Sequence, residues 1–148
     1  MGVRERFVEE ILSWENTLYS FEGCAKGFRG CTNCASFFLD AITKIIPDGD
    51  QCEDGWNWTQ ARFLKEQRDI IYECIEPIMV EVPIKDIKPG DVVLFKLRRV
   101  SQMPAIYIGN DFFVYCNTGA GVIVKDYLPG NWKKRISHVL RFNRIEEE

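Results

Sequence analysis

Residues 27–46 read GFRGCTNCASFFLDAITKII, a glycine-rich segment that runs directly into an apolar helical pattern. Thr32 or Asn33 is a candidate N-cap, and the pattern predicts a helix from Cys34 to about Ile46. A Pro-Asp-Gly sequence follows and ends the helix. The stretch therefore predicts a cysteine in the first turn of a helix that packs in the core.

Cys34 has two interpretations on physical grounds. Backbone N–H groups and aligned peptide dipoles at a helix N-terminus favour the thiolate, so a cysteine there is acidic and nucleophilic. The glycines before it would let a substrate chain approach the sulfur. Free cysteines are, however, most often small apolar side chains of the core. Position alone leaves a nucleophile and a core residue as equal alternatives.

Two further helical patterns flank this stretch. Apolar residues repeat at helical spacing from Val3 to Tyr19 and again from Thr59 to about Ile75. After Pro77, short β-branched and aromatic runs alternate with turn sequences. These runs predict strands at Met79–Val82, Asp91–Leu97, Ala105–Ile108, Phe112–Cys116, Gly121–Lys125 and Val139–Phe142. Helices first and strands second predict an α+β fold, with N-terminal helices packed on an antiparallel sheet of about five or six strands.

Composition bounds the class of protein. The chain has 148 residues, of which 46% are hydrophobic and 13% aromatic, which suits one packed domain over residues 1–148. A net charge of −3 argues against a nucleic-acid partner. The sequence has no apolar run of membrane-spanning length, and its charged first ten residues do not resemble a signal peptide. We therefore expect a soluble protein made in a cytoplasm.

Histidine and cysteine counts restrict the chemistry. His138 is the only histidine, so a mechanism that needs two histidines is excluded. The six cysteines are expected to be reduced thiols rather than a disulfide framework, because no export signal is seen.

Several segments, in this order, resemble the NlpC/p60 cysteine peptidases. Trp14–Tyr19 is similar to their W-x-G-T-P-Y opening, and Gly27–Cys34 to the G-x-G-x-D-C segment that carries the nucleophile. Lys88–Phe95 resembles their P-G-D-hydrophobic-F strand, and Ala105–Gly109 the strand that follows the catalytic histidine. The C-terminal part resembles specifically the cell-wall peptidases of phage and gene-transfer-agent tail tips, at Gly121-Val122, Trp132–Ile136 and Arg141-Phe142.

The resemblance implies a papain-like fold and an endopeptidase or amidase that acts on peptidoglycan stem peptides without a cofactor. In such enzymes a cysteine attacks the amide carbonyl, a histidine transfers the proton and a third polar residue orients the histidine. By this resemblance Cys34 is the nucleophile and Tyr19 helps to hold the oxyanion.

The sequence departs from the family pattern at the proton-transfer positions. Met103 stands where the family has its histidine, or Gln102 does with a one-residue slip, and neither side chain is an effective base. Tyr115 stands at the third polar position. Asn33 replaces the acid directly before the nucleophile, and Ser36 replaces the glycine two residues after it. These departures predict a fold that is kept without its base.

Two alternatives concern the remaining reactive residues. His138 would supply the base only if the last strand ran beside the Cys34 helix. A low-probability alternative is a zinc or iron–sulfur site on Cys24, Cys31, Cys34 and Cys52, with Cys31-x2-Cys34 as its short knuckle. Separately, residues 125–144 hold six cations and one anion, which suits an anionic partner or a solvated face.

Three functions are consistent with these observations. The first is a degenerate peptidase domain that serves as a structural or adaptor piece of a phage or phage-like tail tip. It would be located in the virion tail and bind other tail-tip or hub proteins. The second is an active cysteine hydrolase of peptidoglycan stem peptides. The third is a metal-stapled form of the same domain. Neither nucleic acid nor a membrane span is expected.

Overall fold

The computed structural model describes residues 1–19, 24–25, 31–32, 36–49, 70–97, 100–117 and 122–148. Its α-helices are α1 (Val3–Leu12), α2 (Ser36–Ile45) and α3 (Ile70–Ile75). Its strands are β1 (Leu18–Tyr19), β2 (Cys24–Ala25), β3 (Cys31–Thr32), β4 (Met79–Glu81), β5 (Val92–Leu97), β6 (Val100–Gly109), β7 (Phe112–Asn117), β8 (Val122–Tyr127) and β9 (Ile136–Phe142). Helices beside a mainly antiparallel sheet confirm the predicted α+β class. In these ranges, no helix is both long and apolar enough to cross a bilayer.

The first helix is shorter than its apolar pattern predicted. α1 ends at Leu12, and the N–H of Ser13 still donates to the Glu9 carbonyl four residues back. The N–H groups of Trp14 and Glu15 donate to carbonyls only three residues back. Asn16 then adopts a φ of +70°, in the left-handed region that ends helices. The chain thereby turns, and Leu18–Tyr19 joins the sheet as β1 instead of extending the helix.

The other two helices agree with the prediction where the structure describes them. α2 spans Ser36–Ile45 against the predicted start at Cys34, which lies outside the described residues. α3 covers the last turns of the third predicted helix, and the part before Ile70 also lies outside. Ala41 and Ile42 of α2 are fully buried in the core.

The strands form one sheet in the order β2-β3-β1-β8-β7-β6-β5-β9-β4. The predicted strands correspond to β4–β9, and all their pairings are antiparallel. The two-residue strands β1, β2 and β3 extend the sheet beyond the predicted five or six strands, and β1 pairs with β3 in parallel. Sequence alternation did not reveal these strands, because two residues carry too little of a period-two pattern.

The sheet separates two buried layers, since alternate residues of a strand point to opposite faces. The helix-side face packs against α1 and α2, and its buried strand residues are Met79, Val92, Leu94, Ile106, Val114, Leu140 and Phe142. We call the opposite layer the Trp132 face. Its buried residues are Val93, Phe95, Met103, Ala105, Tyr107, Phe113, Tyr115 and Leu128, with Trp132 packed against them.

The turn at residues 88–91, hereafter the Asp91 turn, fixes β5 to β9. The Asp91 side chain is fully buried, and its carboxylate accepts hydrogen bonds from Arg141 Nε at 2.9 Å and Nη2 at 2.8 Å. The backbone N–H of Lys88 donates to the same carboxylate at 2.9 Å. The bonds to Asp91 also raise the pKa of the Arg141 guanidinium above its ordinary value. The P-G-D stretch thus has a structural role at this position.

Glycine is required at the centre of the Asp91 turn. Gly90 has a φ of +95°, and a Cβ built on it would lie 2.9 Å from Ile145 Cδ1. Arg4 of α1 donates a short hydrogen bond to the Pro89 carbonyl and another to Glu146. The turn therefore brings the first helix and the C-terminal segment against the sheet.

Candidate active site

Cys34, the predicted nucleophile, lies outside the described residues, so its role stays a prediction. The described chain on either side of it ends with β3 at Thr32 and resumes with α2 at Ser36. Tyr19, the predicted oxyanion residue, is directly opposite Thr32 in the parallel β1–β3 pair. The backbone of Tyr19 is therefore one strand spacing, about 5 Å, from a residue two positions before Cys34.

Met103 is a core residue of the Trp132 face. It lies in β6 directly opposite Phe95 of β5, and it is only 9% exposed. Gln102, the alternative residue at this position, precedes it in the same strand. A buried thioether contributes packing and offers no lone pair that is protonated near neutral pH.

Tyr115 lies on the same face and is hydrogen-bonded there. It is 3% exposed, and its hydroxyl donates to Asp126 Oδ2 at 3.2 Å. Trp132 Nε1 donates to the same oxygen at 3.3 Å, and the Trp132 ring centroid is 5.1 Å from that of Tyr115. The other carboxylate oxygen, Oδ1, accepts from the backbone N–H of Tyr127 at 2.8 Å. Tyr115, Asp126 and Trp132 thus form one polar group inside an aromatic cluster.

Asp126 was not predicted as a site residue. The sequence placed the end of the strand at Lys125, whereas β8 continues to Tyr127 and brings Asp126 opposite Phe113. Its bond to Tyr115 crosses the β7–β8 hairpin diagonally and depends on the register, which no local motif encodes. The only sequence signal is an acidic residue near the end of a strand that begins with three apolar residues.

His138 is not near the Met103–Tyr115 group. It lies inside β9 rather than before it, opposite Leu94 on the helix-side face. Its ring stacks on Tyr72 at a centroid distance of 4.4 Å, and Nδ1 is 3.1 Å from Glu81 Oε1. Strand β5 and the thickness of the sheet separate it from Met103, which is on the opposite face.

The sheet order also places His138 far from the strand that leads to Cys34. Five strands (β1, β8, β7, β6 and β5) lie between β3 and β9. This arrangement gives no support to the alternative in which the last strand runs beside the Cys34 helix.

The four-cysteine metal alternative is not tested as a whole. Cys34 and Cys52 lie outside the described residues. In the β2–β3 pair, Cys24 is opposite Thr32 and Cys31 is opposite Ala25, so the two cysteines are not direct cross-strand partners. Among the residues that the structure describes, no group of three or more His, Cys, Asp or Glu side chains could hold a metal ion.

Comparison with known proteins assigns the family. The chain matches the NlpC/P60 family over residues 49–141. It is 38% identical over 142 residues to murein DD-endopeptidase MepS/murein LD-carboxypeptidase of Escherichia coli K12. The aligned residues cover 95% of this chain. The chain spans 64% of the length of that relative.

Solved structures with the same fold include two proteins of Mycobacterium tuberculosis. The peptidoglycan hydrolase RipB has a TM-score of 0.63 at 18% identity, over 99% of this chain and 66% of RipB. RipD, a non-catalytic NlpC/p60 domain protein adapted to peptidoglycan binding, has a TM-score of 0.57 at 12% identity, over 95% of this chain and 96% of RipD. These likenesses confirm the predicted papain-like α+β fold. NlpC/P60 peptidases need no cofactor. From its match over residues 49–141, the chain belongs to the NlpC/P60 family.

Proposed function

We propose that this domain binds peptidoglycan stem peptides through an NlpC/P60 site that has lost its general base, so that hydrolysis is very slow or absent. The observation that carries the proposal is the environment of Met103 and Tyr115. Both side chains are buried in the aromatic Trp132 face. His138, the only histidine of the chain, lies in β9, and five strands separate β9 from β3, the strand that leads to Cys34.

The chemistry of the site supports loss of turnover. A cysteine peptidase needs a group that takes the thiol proton and later returns it to the leaving amine. The Met103 thioether cannot do this, and the Tyr115 hydroxyl already donates its hydrogen bond to Asp126. Removing a general base costs about 10²–10⁴-fold in rate. A helix N-terminus around Cys34 would leave only a weak residual activity.

Binding without turnover also has a precedent in the fold. RipD is a non-catalytic NlpC/p60 domain protein adapted to peptidoglycan binding, and its fold covers 95% of this chain. The E. coli relative is a murein endopeptidase, and it is 38% identical to this chain. Both relatives favour peptidoglycan as the ligand. One is a hydrolase and the other is non-catalytic, so whether this domain hydrolyses peptidoglycan depends on whether a general base is present.

The test is release of muropeptides from purified peptidoglycan, followed by mass spectrometry. We expect no release from the wild type or from Cys34→Ser on several wall types, while both proteins cosediment with the insoluble peptidoglycan. The active E. coli murein endopeptidase serves as the positive control. Release by the wild type that disappears in Cys34→Ser would overturn the loss of turnover.

A gain of function gives a sharper version of the same test. Met103→His is expected to raise muropeptide release, whereas the same change combined with Cys34→Ser is not. The combined variant is the matched control, because it carries the new imidazole without the thiol.

An active cysteine hydrolase remains the second candidate, and the 38% identity to a murein DD-endopeptidase favours it. In that case Cys34 would work with a base that lies outside the described residues or with a protein-bound water. Release that depends on Cys34 in the wild type distinguishes this candidate from the first.

We also propose that the domain is located at a phage or phage-like tail tip, in the virion, where it binds other tail-tip or hub proteins. Support comes from the resemblance of the Trp132–Ile136 segment to tail-tip peptidases. Mass spectrometry of purified virions from the source phage or prophage tests this location. Absence of this protein from virions that contain the remaining tail proteins would contradict the proposal.

A further inference from the structure

Three consecutive cations form an exposed turn before β9. Lys133–Arg135 make one turn of 3₁₀ helix, and all three side chains are exposed. We call this segment the basic turn. Within the described part of the chain none of its side chains forms an ion pair. The next two cations, Arg141 and Arg144, differ in this respect, since they pair with Asp91 and Glu147.

The basic turn is held rigidly. The residue before it, Trp132, packs its ring 5.1 Å from Phe95 and 5.1 Å from Tyr115, and its indole N–H bonds to Asp126. The backbone N–H of Arg135 donates to the Trp132 carbonyl at 2.9 Å. A charged segment that is already ordered loses less entropy when it binds, so its charges contribute more to affinity.

The basic turn also lies beside the Met103–Tyr115 group. Ile136, the residue that follows the turn, is opposite Phe95 in β5, and Phe95 is opposite Met103 in β6. Two strand spacings amount to about 10 Å, so β9 begins, directly after the turn, about 10 Å from Met103. Trp132 connects the basic turn to this group, because its ring contacts Tyr115 and its backbone directly precedes Lys133.

The chemistry of the turn suits an oxyanion, and the stem peptides of peptidoglycan supply carboxylates. Two ammonium groups and one guanidinium on consecutive residues suit a ligand with more than one negative charge, and the guanidinium fork matches a carboxylate in a bidentate geometry. The chain as a whole carries a net charge of −3, so the turn is a local exception rather than part of a generally basic surface.

We propose that the basic turn is an anion-recognition element of the candidate site and binds carboxylate groups of the peptidoglycan stem peptide. This inference rests on the proposed function, because it names the part of the ligand that the site recognises. The turn positions the peptide by its carboxylates, and Trp132 holds the turn at a fixed distance from Met103.

The experiment measures cosedimentation with purified peptidoglycan over a range of protein concentrations. The test variant is Lys133→Gln combined with Lys134→Gln and Arg135→Gln. The matched control combines Arg6→Gln, Lys85→Gln and Lys88→Gln, which removes the same charge from three exposed positions elsewhere. A second preparation of peptidoglycan has its carboxylates converted to neutral amides with a carbodiimide and ammonia. Circular dichroism verifies that both triple variants are folded.

We expect the test variant to bind about tenfold more weakly than the wild type, and the control variant to bind within about twofold of it. Amidated peptidoglycan should lower wild-type binding by a similar factor and leave the test variant unchanged. Equal binding by the test and control variants would overturn the inference while leaving the proposed function intact. A loss in the test variant that amidation does not reproduce would overturn the carboxylate assignment and indicate a phosphate-bearing wall polymer. If the wild type does not bind peptidoglycan, the proposed function itself fails.

Discussion

The Asp91 turn and the Met103–Tyr115 group are both segments in which the chain resembles its family, but they differ in what their side chains do. In the Asp91 turn the family residues are present, and Asp91 is bonded to Arg141 and to the backbone of Lys88. In the second group the side chains are a thioether and a hydrogen-bonded phenol, packed into an aromatic layer. The difference indicates that the first region holds the fold together through polar contacts, whereas the second contributes apolar and aromatic packing.

The buried ion pair of the Asp91 turn should give the largest effect. Asp91→Ala removes the carboxylate and leaves the partly buried Arg141 guanidinium without its main partner, which costs about 3–5 kcal/mol for a buried pair. Urea unfolding followed by tryptophan fluorescence measures the change. Asp86→Ala is the control, because its side chain is exposed and only its backbone carbonyl accepts from Arg141. A loss no larger in Asp91→Ala than in the control would contradict a structural role for the P-G-D stretch.

Gly90→Ala is expected to give the next largest effect. An alanine at a φ of +95° is strained, and its Cβ would also lie 2.9 Å from Ile145 Cδ1. Left-handed strain costs about 1–3 kcal/mol. Gly130→Ala is a matched control, since Gly130 has a φ of +99° and open space within 4 Å of an added Cβ. The difference between the two melting temperatures isolates the contacts of the added Cβ with Ile145 and Arg4. Equal losses would show that these contacts are unimportant.

Tyr115→Phe tests whether the phenol of the second region is structural. Loss of the bond from the Tyr115 hydroxyl to Asp126 should cost about 1 kcal/mol in the free energy of unfolding. Tyr127→Phe provides the control, because that ring is exposed. If Tyr115 instead takes part in hydrolysis, the change would alter Cys34-dependent muropeptide release with little effect on stability.

Local sequence patterns predicted the fold better than the site. Alternating apolar residues and turn sequences located β4–β9, because these signals depend only on neighbours in the chain. The conversion of Leu18–Tyr19 from helix to strand depends on pairing with Cys31–Thr32, which a local pattern does not contain. The bond from Tyr115 to Asp126 likewise arises from hairpin register. Cys34 stays a prediction, because it lies outside the described residues.

The smallest expected effect concerns the ion pair that links α1 to the C-terminal segment. Arg4 donates to Glu146, whose side chain is 72% exposed, and this bond holds the pKa of Glu146 below its usual value. Because the folded-state pKa is lowered, the contribution to stability is present at neutral pH, above the unfolded pKa of about 4.5. It is lost as the pH falls from there through the folded-state pKa.

Glu146→Gln should therefore lower the melting temperature slightly at pH 7, and the difference from the wild type should disappear in acid below the folded-state pKa. Added salt should reduce the difference at pH 7, because solvent ions screen an exposed pair. Glu148→Gln, which removes the same charge two residues further on, is the control. A difference that persists in acid would mean that the Glu146 side chain stabilises the C-terminal segment by packing rather than by charge. In that case the pair of Arg4 with Asp91, 3.9 Å apart, would carry the ionic link between α1 and the Asp91 turn.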